Sequence, residues 1–409
     1  MENKKRKVLI AGASIAGPVL AYWLSKFGFE VSIVERAPSL RLGGQSIDVN
    51  GPARRVAEWM GILDAIKAAN TGEVGTQWVD KNNEVTASFP KEGAASLTQE
   101  LEIVRGDLVE ILYNLTKNDV EYLFDDQIES LEQDEQEARV HFARGHSGSY
   151  DLVIAADGIR SKTRKLMFGD EPEFRYLGMC TAYLTIEKAE TDTDWARWYT
   201  ADDSRVLLLR PDRQGTTRAS INFLLPEEEY HKLEKADHKP LLLERLDGCG
   251  WEAPRLAREV EKSDDLYFDG IGQIKAPKWS AGRFAMVGDA ACCPSPVSGK
   301  GATLAIVGAY ILGGELARHA DYRDGLKAYE SLMRPYAESV QDLPPGVPRL
   351  AYPKTALGVS IVNTVMGVIA SDAVQKVAGL FSKSDPEEEM TMDGKPLPEY
   401  GMLAPGNVS

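Results

Sequence analysis

Val8-Leu9-Ile10-Ala11-Gly12-Ala13-Ser14-Ile15-Ala16-Gly17 is the stretch whose reading decides the fold. Val8–Ala11 is a short, continuous apolar run, as expected of a strand buried on both faces of a parallel sheet. Gly12 and Gly17 bracket a tight turn into a helix, in which Leu20, Leu24 and Phe27 recur at i, i+4 and i+7. Val31–Val34 reads as the next strand, completing a βαβ opening. Such a turn lets backbone amides and a helix N-terminus approach a pyrophosphate. Ser14 stands where the fingerprint's middle glycine would be, and Ile15 and Ala16 complete the loop. Glu35, followed by Arg36, lies 18 residues after Gly17, close to where a carboxylate would accept ribose hydroxyls. The stretch predicts a dinucleotide site and leaves NAD and FAD both open.

Outward from this core, the composition is that of an ordinary globular enzyme. The 409 residues are 43% hydrophobic and 27% charged, with a formal net charge of −15. That acidity argues against nucleic acid, whose phosphates demand clustered Lys and Arg. The one basic run, Lys4–Lys7, directly precedes a buried strand and is not read as a nuclear signal. With the nearly uncharged Val8–Leu24 it imitates a secretory leader, but cleavage there would remove the glycine turn, so the segment is read as mature protein. No stretch reaches the roughly 20 apolar residues of a membrane span, and no membrane partner is expected. Four cysteines (Cys180, Cys249, Cys292, Cys293) make no disulfide framework and no C-x-x-C metal pattern. A cytoplasmic monomer or weak dimer, without a metal, is the expectation.

Further along, Gln77–Val79 and Val85–Ala87 flank a Lys-Asn-Asn turn as a hairpin. Arg105–Leu115 is predicted helical, with Leu108, Ile111, Leu112 and Leu115 on one face. Ile128–Glu132, Ala138–Phe142 and Tyr150–Ala155 read as strands. Between 173 and 270 the β-type segments Cys180–Ile186, Arg205–Leu209 and Arg218–Leu225 suggest a second sheet. Arg283–Val287 returns to buried-strand character before a Pro/Gly loop and a helix at about 302–319. The fold class is therefore α/β: a Rossmann-type domain over 1–72, 100–172 and 271–342, with an inserted mixed β-sheet substrate domain over 73–99 and 173–270. A C-terminal helix is expected within 343–381, packed on the protein, and the acidic, Pro/Gly-rich 382–409 is expected to be disordered.

Four separated motifs carry a family resemblance. They are the glycine loop, Val104-Arg105-Gly106-Asp107-Leu108, Asp151–Gly158, and Gly288-Asp289-Ala290-Ala291 with Pro296-Val297-Ser298-Gly299-Lys300-Gly301. Over roughly residues 7–343 the chain resembles the class A flavoprotein monooxygenases, closest in pattern to their tetracycline-inactivating branch. The resemblance makes the cofactor FAD and the reductant NAD(P)H. It gives Arg105 an FAD contact, which accounts for a cation opening a helix, where the dipole disfavours it. It gives Asp157-Gly158 a role toward both FAD and the nicotinamide, and Asp289 the ribityl hydroxyls. Pro296, Gly299, Lys300 and Gly301 would lead the next helix's amides to the flavin N1–C2=O edge. Family members commonly carry His after Gly-Asp-Ala-Ala and Gln or Met inside Gly-x-Gly; here Cys292 and Lys300 stand there. Gly43-Gly44-Gln45-Ser46-Ile47-Asp48 resembles a stretch whose acid contacts FAD and whose preceding arginine serves NADPH, pointing to Asp48 and Arg41.

The reaction implied by the resemblance runs through a flavin C4a-hydroperoxide that hydroxylates an aromatic or polyketide-like small molecule, tetracycline-like ones included, with O2 as oxidant and no catalytic side-chain set. Tyr183 and Arg197, with Trp198, are the substrate-contact candidates, because polar and aromatic tips on β segments suit a large, flat ligand. An FAD-dependent dehydrogenase or oxidase without oxygen transfer is the alternative, with a non-catalytic binding protein behind it. A halogenase is disfavoured by the missing Trp-x-Trp-x-x-Pro.

Overall fold

The computed structural model describes residues 5–401 apart from 94–95, 264–265, 344–350, 372–373 and 375–389. Its centre is a six-stranded sheet in the order Ser280–Ala281, Phe284–Met286, Leu152–Ala155, Lys7–Ala11, Glu30–Glu35, Glu121–Phe124. All neighbours run parallel except the short first strand, which is antiparallel to the second. Alternation along Val8–Ala11 explains the apolar run. Val8 and Ile10 pack under the helices Ala16–Lys26 and Gly301–Arg318, whereas Leu9 and Ala11 face Ile128, Val140 and Phe142. The latter three belong to a three-stranded antiparallel sheet, Ile128–Gln133, Ala138–Phe142 and Ser147–Tyr150, which covers the second face. Both faces are dry, so every position of the strand is apolar.

The hairpin Gly75–Val79/Val85–Pro90 joins strands from far downstream in a seven-stranded mixed sheet. Its order is Tyr267–Lys275, Glu173–Glu187, Thr216–Leu224, Arg205–Pro211, Ala196–Ala201, Gly75–Val79, Val85–Pro90. One face carries Cys180, Ala182, Leu184, Tyr199, Leu207, Ile221 and Phe223 and is covered by the helices His238–Leu246 and Ala253–Lys262. The opposite face holds a transverse row at one register, Trp78, Trp198, Leu208, Ser220, Tyr183 and Tyr267. Period-two alternation alone separates the two sets.

The C-terminal helix is found as Ala356–Ile369, and with Ala370 just beyond its end it lies on that second face, where Met366 and Ala370 touch the cluster of Trp78, Ala87, Phe89 and Trp198. The rest of its expected span to 381 falls mostly outside the described residues. The tail departs from expectation. Residues 390–401 pack on the long helix Gly301–Arg318, burying Met392, Leu397 and Tyr400. Tyr400 fills the space above Gly314, where a Cβ would come within 2.1 Å of its ring, and donates to Glu315 at 2.7 Å. Composition pointed to disorder because a few anchoring aromatic and aliphatic residues are outnumbered by Pro, Gly and acids. The expected disorder of 382–389 and 402–409 concerns residues outside those described.

Candidate functional site

The parallel sheet brings three turns to its C-terminal edge. In the first, Gly12 takes φ 111° and its amide donates to the Val34 carbonyl at 2.8 Å. A Cβ on Gly12 would stand 2.5 Å from the Ala156 carbonyl, and one on Gly17 would stand 2.0 Å from the Gly12 carbonyl. Both glycines are thus required by close backbone approach. Ile15 and Ala16 are buried beside them, and the helix they open has no side-chain cap and no acid in its first turn. Its free amides and positive end suit a pyrophosphate. Glu35 spans the loop, accepting from the Ala13 amide at 3.0 Å and the Ala37 amide at 2.9 Å. Arg36 points to solvent and is not drawn into the turn.

Arg105 lies over this loop. Its guanidinium donates to Ser14 Oγ at 3.0 Å and to the carbonyls of Arg41 and Gly43 at 3.1 and 2.5 Å. Ser14, the departure from the glycine fingerprint, is therefore a partner of Arg105. Two further glycines make the contact fit. A Cβ on Gly44 would reach 2.6 Å from Arg105 Nε, and one on Gly106 would overlap the Leu42 carbonyl at 1.6 Å. Burial lowers the Arg105 pKa, and Arg41 lowers it further. Arg41 contributes its carbonyl here while its side chain is exposed.

The second and third turns meet each other. Asp157 accepts from Ser161 Oγ and from the Thr163 amide at 3.1 Å, so its carboxylate organises the start of the helix Lys162–Phe168, and Gly158 turns at φ 84°. Arg164, which the motif reading overlooked, donates to the carbonyls of Ala290 (3.1 Å) and Ile159 (2.8 Å) and ties the two turns together. Gly288 adopts φ 63°, and a Cβ on it would come 3.0 Å from that of Ala16. Burial pushes the Asp289 carboxyl up to about 6, against a smaller opposing hydrogen bond from the Cys293 thiol. An acid so placed, with no cation among its electrostatic partners, calls for hydroxyl donors from a ligand. Ser295, at φ 76° and 2% exposed, keeps a hydroxyl with no hydrogen-bond partner in the same turn. Pro296 starts a single 3-10 turn, Gly299 takes the left-handed conformation at φ 64°, and Gly301 begins the long helix with Asp289 Oδ1 3.9 Å from where its Cβ would be. Lys300 Nζ reaches Asn50 Oδ1 at 3.1 Å. The residues present fit FAD: an open helix N-terminus, glycine cradles, a ribose-type acid and a second, half-buried acid along one edge.

Asp48 pairs across two short strands with Glu102, and burial raises the pKa of both, Glu102 to about 8. Arg210, reaching over from the seven-stranded sheet, holds Glu73 through Nε at 2.8 Å and also pairs with Glu102. Arg218 likewise crosses to the Gly44 carbonyl at 3.3 Å. Arg218 thus joins the sheet to the Gly43–Asp48 loop, and Arg210 joins it to Glu102, the strand partner of Asp48. They stand opposite each other on the sheet face turned toward these loops, a placement that only the register reveals.

Of the substrate candidates, Tyr183 and Trp198 lie on the face turned toward these loops. Trp198 stacks on Trp78 with centroids 5.1 Å apart, and joins a cluster with Val297 of the Pro296–Ser298 turn and the buried Tyr352. Arg197 is a correction. One residue from Trp198, it faces the other way, 3% exposed, with Asp192 Oδ1 at 2.6 Å and Asn83 Oδ1 at 2.9 Å as partners. Its donors are committed to a buried ion pair that Arg255 shares, so it is not placed to meet a substrate beside Trp198.

Comparison with known proteins follows the same lines. Residues 5–343 match a family model described as "FAD binding domain". The chain is 36% identical to the flavin-dependent monooxygenase eupH of Phoma sp, over 98% of this chain and 99% of that one. It is 34% identical to the FAD-dependent monooxygenase asL4 of Sarocladium schorii, over 89% and 92%. Among solved structures, tetracycline destructase Tet(55) superposes with a TM-score of 0.80 at 33% identity, covering 98% of this chain and all of that one.

Proposed function

The chain belongs to the class A flavoprotein monooxygenases, and from that membership we propose that it uses NAD(P)H and O2 to hydroxylate an aromatic or polyketide-like small molecule. The observation that carries the proposal is that Val297, at the foot of the glycine-loop edge, and Trp198, on the seven-stranded sheet, pack against one and the same hydrophobic cluster. It sets a cofactor cradle against an aromatic wall.

In this reading the unit built on the parallel sheet holds FAD, and the sheet formed by 75–90 and 173–275 holds the substrate. The amides opening the helix Ala16–Lys26, with Arg105, hold the pyrophosphate; Glu35 takes ribose hydroxyls and Asp289 the ribityl chain. Gly299, Lys300 and Gly301 bring the positive end of the long helix to the flavin ring, and Asp48 adds a polar contact. Arg41, exposed at the rim, meets the nicotinamide cofactor, with Asp157-Gly158 shaping the approach. When bound, FAD supplies the electron transfer that lets one oxygen atom enter the substrate while the other leaves as water. The chain's own task is to orient the substrate on Tyr183, Trp198 and Ser220 and to keep water out beneath the C-terminal helix.

The test is substrate-stimulated NAD(P)H oxidation across phenols, anthrone-type polyketides and tetracyclines, with ¹⁸O₂ tracing. One labelled oxygen per turnover in the product is expected. Oxidation of NAD(P)H with only peroxide formed, for every compound, would leave the oxidase alternative in its place.

A further inference from the structure

At the position just before the long helix Gly301–Arg318 stands a cation, Lys300. For the protein alone this is a poor place for it. A helix N-terminus carries partial positive charge, which disfavours a lysine. Its ammonium makes no ion pair within 4.0 Å among the described residues; its partner is the neutral Asn50 amide oxygen at 3.1 Å. Thr303 Oγ1 donates to that same oxygen at 3.0 Å, so Asn50 is held from two sides and fixes where the lysine points. Asp48 feels the charge of Lys300, but it also interacts with Arg210 and Lys91. Lys300 is thus a cation positioned by Asn50 and Thr303, with no carboxylate in contact with it among the described residues.

We propose that Lys300 is the counter-charge for the negative charge that FAD gains on reduction, and that it sets the cofactor's reduction potential. The proposal rests on the FAD-binding reading above. Hydride transfer from a reduced nicotinamide leaves the nicotinamide oxidised and adds two electrons and one proton to FAD, a net gain of one negative charge. A fixed cation with an unmet electrostatic demand stabilises that state over the neutral oxidised ring. Asn50 acts as the positioning residue.

The test is the reduction potential of the FAD-loaded protein, measured anaerobically against a reference dye with xanthine and xanthine oxidase, so that neither nicotinamide nor substrate enters. Lys300→Met is expected to weaken the reduced cofactor about tenfold relative to the oxidised one, which is about 30 mV for a two-electron couple. Lys300→Arg should stay within threefold of wild type, and Asn50→Ala should fall between them. Equal shifts in Lys300→Met and Lys300→Arg, or a Lys300→Met change under threefold, would overturn the proposal. So would an equal loss of oxidised and reduced FAD in Lys300→Met, which is the result for a plain binding contact. A wild-type chain that takes up no FAD would instead sink the parent reading, a result distinct from any shift in potential.

Discussion

Asp289→Asn should make the flavin-free protein more stable at neutral pH while weakening its hold on FAD. Burial raises the Asp289 carboxyl from 3.8 to about 6 in the folded chain. The folded chain therefore holds this proton more tightly than the unfolded one, folding takes up a proton between about pH 4 and 6, and stability falls as pH rises through that window. Below about pH 4 both states are protonated and nothing is lost. Above about pH 6 the cost is fully present, and at about 1.4 kcal/mol per pH unit it amounts to up to about 3 kcal/mol. The amide keeps the shape and removes the charge, but its NH2 loses some of that gain if left unpaired, so a net gain of about 1–3 kcal/mol is expected at pH 7.5. The assay is urea unfolding of both flavin-free proteins from pH 4.5 to 8, alongside FAD titration by fluorescence quenching. The advantage should shrink toward the acid end, and FAD affinity should fall at least tenfold at pH 7.5. A variant less stable than wild type at pH 7.5, or an advantage flat across the range, would refute the assignment of Asp289 as a buried acid awaiting ligand donors.

Gly17→Ala places a Cβ 2.0 Å from the Gly12 carbonyl, so the protein should fold by circular dichroism but lose its flavin absorbance on gel filtration. Arg197→Met leaves Asp192 buried with Arg255 alone and should cost about 3 kcal/mol in urea unfolding, with substrate KM within twofold of wild type. Trp198→Ala removes the ring stacked on Trp78; a tenfold or larger rise in KM is expected, with kcat less affected. Tyr400→Phe strips a hydrogen bond from Glu315, itself 2% exposed, and should lower stability by about 1–3 kcal/mol without altering the bound flavin's spectrum.

Much of the cradle was legible before any coordinates because its elements are local. Gly12, Gly17, Gly288 and Gly299 mark turns whose backbone conformation or close approach excludes larger residues, and such needs are written at single positions. Arg105 betrayed itself by opening a helix against the dipole. Arg164 hid in a stretch that looked like any surface helix, since its partners, the carbonyls of Ala290 and Ile159, leave no mark on the sequence. Arg197 misled because a strand's period of two states only that Arg197 and Trp198 face opposite ways. Which face is left to the glycine loops depends on where the helices His238–Leu246 and Ala253–Lys262 dock. The tail misled for a related reason: Tyr400 gains its place from Gly314 and Glu315, which lie more than 80 residues earlier.

The sequence by itself determined the βαβ opening, the buried character of its strands and a dinucleotide-type turn, because these follow from apolar runs and glycine spacing within short windows, while the choice of FAD over NAD came from the resemblance carried by four separated motifs. Only the tertiary structure decided which face of the seven-stranded sheet turns toward the glycine loops, that Lys300 is held by Asn50 without a carboxylate partner among the described residues, and that residues 390–401 fold back on the long helix. Those outcomes depend on contacts between segments far apart in the chain, and a contact at long range has no period or spacing by which one strand of sequence can announce it.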